Sequence, residues 1–145
     1  MKTKFLYFRV GTATASEDDN TTGSNLYPAA NFMGMCSGTS DANGAITDDD
    51  NAVSLFLKPI LKTQTQEDNA ADADPDVIVL ACAQYGQKAV MRNLISAINA
   101  APISDADGGM ITLYDGYADK PASDPTTSIA GITGITVVAQ QAAAD

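Results

Sequence analysis

The sequence predicts an α+β fold in a single domain over residues 1–145: a mixed sheet of about five strands with one long amphipathic helix packed on it. Three observations lead there. Five segments are dense in branched and aromatic residues at strand length, namely 4–10, 53–58, 77–82, 110–114 and 132–138. One segment, 87–99, carries apolar residues at helical spacing. And 145 residues at 15.0 kDa, 45% of them hydrophobic, suffice for one core and hardly for two.

The opening run Lys4-Phe5-Leu6-Tyr7-Phe8-Arg9-Val10 reads as a strand. Alternation puts Leu6, Phe8 and Val10 on one face and Phe5, Tyr7 and Arg9 on the other. Both faces carry apolar side chains. The strand is therefore either buried on two sides within the chain or turned toward another subunit. Aromatic and arginine side chains are favoured at interfaces, so Phe5, Tyr7 and Arg9 are the candidate intersubunit contact.

A polar stretch at about 11–25 is expected to be a loop or arm. In Leu26-Tyr27-Pro28-Ala29-Ala30-Asn31-Phe32-Met33-Gly34-Met35 we expect a short helix with Pro28 at its first position. Residues 37–51 return to loop chemistry. Val53, Leu55 and Leu57 then alternate toward the core, and Pro59 ends that strand. A second acidic loop spans about 62–76.

Val77 to Cys82 reads as a buried strand, followed by a helix from Gln87 to Asn99. Val90, Met91, Leu94, Ile95 and Ile98 share one helix face. Burying all five would contribute on the order of 10 kcal/mol gross, before conformational entropy is subtracted. Pro102 prevents the helix from continuing. With the strand Met110–Tyr114 that follows, two arrangements fit: a βαβ crossover, right-handed if the strands are parallel, or antiparallel strands with the helix on one face. Residues 115–130 read as loop, 132–138 close the sheet, and 140–145 form a frayed tail.

Charge narrows the function classes. The net charge is −10, and 16 of the 18 acidic residues are aspartates, gathered in runs such as Asp48-Asp49-Asp50. Aspartate prefers turns to helices, so this charge belongs on surface loops. Such a surface repels phosphate backbones and anionic lipid. Eight scattered Lys and Arg form no basic patch, so neither nucleic acid nor membrane is an expected partner. The apolar run Val77–Ala83 is far below the roughly 20 residues of a membrane helix, and Met1 to Lys4 precede no signal-peptide core.

Chemistry is scarce. The chain has no histidine, which removes the commonest general base and metal ligand and every Ser-His or Cys-His pair. The aspartate clusters lack apolar neighbours that would raise a carboxyl pKa. Asp72-Ala73-Asp74-Pro75-Asp76 opens with EF-hand spacing, but Val77 stands where the loop needs glycine and Ala83 where it needs glutamate. Asp105-Ala106-Asp107-Gly108-Gly109 departs from it in the same way. Gln84-Tyr85-Gly86-Gln87-Lys88 lies between a strand and a helix, yet has neither the P-loop nor the dinucleotide glycine pattern. Asn20-Thr21-Thr22 matches a glycosylation sequon, and because no secretory route is expected it reads as a chance match. Cys36 and Cys82 read as reduced thiols, Cys82 as a small core hydrophobe. We therefore expect no enzyme, with no catalytic, cofactor-binding or metal-ligating residue and no cofactor.

The stretches FLYFR, YPAANFMGM, VSLFLKP, DVIVLACAQYGQKAVMRNLISAINA and GGMITLYDG, which span most of the chain, resemble the small virion structural proteins of tailed bacteriophages, marine ones in particular. The resemblance is to proteins that decorate or cement a capsid. It implies a place on the capsid surface of a virion, partners that are the major capsid protein or other virion subunits, a homo-oligomer at symmetry positions, and no cofactor. Two other readings stay open: another self-assembling part, such as a phage tail component or an extracellular filament subunit, and a small calcium- or carbohydrate-binding module using the acidic loops.

Overall fold

The computed structural model describes residues 4–10, 24–41, 45–59, 75–100, 109–116 and 129–139. Within them the chain is mixed α/β, mostly sheet, with one α-helix. The strands are β1 (Phe5–Arg9), β2 (Ser24–Pro28), β3 (Phe32–Ser37), β4 (Thr39–Ser40), β5 (Ile46–Thr47), β6 (Ala52–Leu57), β7 (Asp76–Cys82), β8 (Met110–Asp115) and β9 (Ile132–Ala139), with α1 (Gln87–Asn99) between β7 and β8.

The expected single sheet of about five strands is replaced by three sheets. The described strands form a three-stranded sheet in the order β2-β1-β8, a four-stranded sheet β3-β6-β7-β9, and the two-stranded pair β4-β5. In the three-stranded sheet β1 is central, antiparallel to β2 and parallel to β8. The four-stranded sheet is antiparallel throughout.

The helix expected within 26–35 is likewise corrected. Tyr27 and Pro28 end β2, a 3-10 turn covers Ala29–Asn31, and Phe32 opens β3. Pro28 sits at φ −55° and ψ 137°, an extended conformation. Two paired strands satisfy this segment's backbone where an isolated turn or two of helix would leave most of its groups unpaired. The segment thus crosses from the edge of one sheet to the edge of the other.

The loop expected at 37–51 contains the β4–β5 hairpin. Asp41 closes it: its N–H donates to Ala45 O at 2.9 Å, and Ala45 N–H donates to its Oδ1 at 2.9 Å. The hairpin lies across the outer face of β6. There Ser54, fully buried, accepts a bond from Ser40 N–H at 2.8 Å and donates its own hydroxyl to Gly38 O at 2.8 Å. Gly38 has φ +99°, and a Cβ there would stand 2.5 Å from Thr47 O, so the hairpin requires glycine. Most of the other expected loops, at 11–23, 62–74 and 117–128, and the tail 140–145 lie outside the described residues. At their described margins Ser24 and Asn25 belong to β2, Asp76 to β7 and Asp115 to β8, whereas Pro75, Gly116, Ile129 and Ala130 lie outside any strand.

The alternation read in β6 holds. Val53, Leu55 and Leu57 are all fully buried, in register with Leu80, Ile78 and Asp76 of β7 respectively. The apolar residues among these join Leu6, Phe8 and Tyr27, Leu113, Ile132 and Ile135, and Val90 and Leu94 of α1 in one apolar cluster between the sheets. The rings of Phe8 and Tyr27 stack within it, centroids 6.4 Å apart at an interplanar angle of 18°.

Helix α1 spans the predicted residues, but its buried strip is narrower. Val90 and Leu94 are inside, Met91 and Ile98 pack partly against the cluster, and Ile95 is 40% exposed. Full burial of two side chains contributes about 3–6 kcal/mol gross, less than the five-residue face suggested. Neither arrangement foreseen for strand, helix and strand is adopted. β7 belongs to the four-stranded sheet and β8 to the other, so α1 carries the chain from one sheet to the next. The two sheets also meet where Ile129 N–H, just before β9, donates to Thr112 O of β8 at 2.9 Å.

Candidate functional site

The sequence singled out the second face of β1. Register sets its neighbours: Phe5 lies between Pro28 and Met110, Tyr7 between Leu26 and Thr112, and Arg9 between Ser24 and Asp115. The three residues therefore share one strip with the neighbouring strands. Phe5 and Tyr7 are half-buried, and Leu26 beside Tyr7 is 40% exposed. Arg9 differs. Its Nε and its second terminal nitrogen each donate to one oxygen of Asp115 at 2.8 Å, a two-point fork. Both side chains are nearly sealed, at 10% and 2% exposure. Within this strip the aromatics supply apolar surface, and Arg9 anchors β1 to β8.

Other polar groups, buried and half-buried, also tie framework elements together. Tyr27, fully buried, donates its hydroxyl to Asp76 Oδ2 at 2.7 Å, and Asp76 is 2% exposed. This bond links the edge of one sheet to β7 of the other. Lys4, just ahead of β1, sends its ammonium to the C-terminal carbonyls of α1: Ala97 O at 3.0 Å, Ile98 O at 2.8 Å, and Ala100 O. A cation there neutralises the negative end of the helix dipole and binds carbonyls without helical partners. Asn93 Nδ2 donates to Ala130 O at 2.9 Å, holding the start of β9 to the same helix.

The ligand motifs weighed in the sequence resolve as follows. Of the triplet Asp72-x-Asp74-x-Asp76, only Asp76 is described, and its carboxyl faces Tyr27 inside the core. No group of three or more Cys, Asp and Glu suited to a metal ion occurs among the described residues. No described helix is long and apolar enough to cross a membrane. Asn20 and Asp105–Gly108 lie outside the described residues.

At the strand-to-helix turn 84–88, Tyr85 adopts a left-handed φ of 61° and its N–H donates to Asp50 O at 2.8 Å. Gly86 N–H donates to Ala83 O at 2.8 Å, and Gln87 Nε2 to Asp49 O at 3.0 Å. The acidic turn 48–50 thus lies against the start of α1. The Tyr85 and Gly86 amides are bonded within the chain, and the neighbouring aspartate charge repels an anion.

Both cysteines are free thiols, Cys82 buried and Cys36 half-buried. Burial pushes both thiol pKa values up; at Cys82 the negative charge of Asp49 adds to this, while a backbone hydrogen bond from Gly86 works against it. Raised thiols are poor nucleophiles at neutral pH.

Sequence reasoning missed Tyr27, Asp76 and Lys4 as structural pins. One signal was present. An aspartate directly opening a run of buried β-branched residues is unfavourable in a strand, so Asp76 called for a buried partner. Nothing in the sequence identified that partner as Tyr27. No protein-family model, curated protein or solved structure matches this chain.

Proposed function

We propose that this chain is a non-enzymatic structural protein of a virion, a decoration or cement subunit that binds the outer surface of a tailed-phage capsid. Its partners are the major capsid protein and further copies of itself. One observation carries the reading. The buried polar side chains Arg9, Asp115, Tyr27, Asp76 and Ser54 bond one another or the framework, as building-block residues do. The chain has no histidine to add a proton shuttle. A net charge of −10 suits an outer layer that keeps a large particle dispersed. The stretches on which the resemblance rests fall in β1, β2 through β3, β6, β7 through α1, and β8, which supports reading them as framework. On this reading Phe5 and Tyr7, with Leu26 beside them, form the contact with a neighbouring subunit, and Arg9 sets the strand that presents them.

Co-sedimentation with empty tailed-phage capsids tests the proposal. The protein is expected to leave the supernatant in a saturable way, at many copies per shell. Tyr7→Ser, checked by circular dichroism to be folded, is expected to weaken that uptake at least tenfold. Protein that stays in the supernatant at every capsid concentration overturns the proposal. So does spontaneous polymerisation into filaments without capsids, seen by negative-stain microscopy, or a rise in melting temperature that requires millimolar calcium.

A further inference from the structure

No further inference is drawn: the strongest candidate, the outer edge of β3 where Met33 stands 61% exposed beside the bulge between Phe32 and Gly34, carries nothing because nothing in the structure shows what covers it.

Discussion

Tyr27→Phe isolates one hydrogen bond between the two main sheets. The substitution keeps the ring stacked on Phe8 and removes only the hydroxyl that donates to Asp76 Oδ2 at 2.7 Å. Tyr27 is fully buried and Asp76 is 2% exposed, so water does not readily replace the lost donor. A hydrogen bond contributes about 1 kcal/mol net, and a buried acceptor left short of a donor costs about 1–3 kcal/mol. The expected loss is about 2 kcal/mol. At roughly 4 °C per kcal/mol for a chain of this size, the melting temperature falls by about 8 °C. Urea unfolding followed by circular dichroism measures it, with the denaturant slope unchanged because the same surface is exposed. A cycle with Asp76→Ala separates the bond from the side chains that make it, and a coupling of about 1–2 kcal/mol is expected. A Tyr27→Phe variant within about 0.5 kcal/mol of the parent, or strictly additive single changes, refutes the view that this pair joins the sheets.

Other perturbations probe separate parts of the structure. Arg9→Met leaves Asp115 facing a nearly sealed site without its two-point partner, and should cost about 3 kcal/mol in urea unfolding; a change under 1 kcal/mol contradicts the anchoring role. Leu94→Ala should cost about 3 kcal/mol and Ile95→Ala under 1 kcal/mol, because only Leu94 is inside the core; equal losses would mean that the helix is rotated about its axis. With a thiol reagent at neutral pH, Cys36 should react slowly and Cys82 only on unfolding; prompt labelling of both fails the assignment. Because burial raises the folded-state pKa of Cys82, the folded chain holds that proton where the unfolded chain has released it. Its contribution to stability is complete below the ordinary thiol pKa of 9.0 and declines as pH rises from there to the folded value. Cys82→Ala should flatten that alkaline decline in a melting series, and an unchanged slope argues against it.

How much of this was legible in the chain depends on whether the signal was local. Leu6 and Phe8, then Val53, Leu55 and Leu57, alternate toward the core as their pattern requires, because strand side chains take opposite faces in turn. Helix α1 starts after Gly86 and ends before Pro102, where backbone chemistry sets its limits. The candidate strip Phe5, Tyr7 and Arg9 was legible as one face of β1. That Arg9 is held by Asp115 was not, because the two lie 106 residues apart. Asp115 itself read as loop, since an aspartate at a strand end looks the same whether it is solvated or paired.

Periodicity along the chain therefore determined the inward faces of β1 and β6 and the cores of five strands, while Gly86 and Pro102 set the limits of the helix. Composition also determined that no imidazole is available in this chain. Tertiary structure decided which strands become neighbours: the parallel pairing of β1 with β8, the placing of β7 and β8 in different sheets, and the strand–turn–strand at 24–37 in place of a helix. The physical reason is that a backbone hydrogen bond in a sheet forms between residues far apart in sequence. Alternation specifies the face a residue presents and says nothing of the strand beside it.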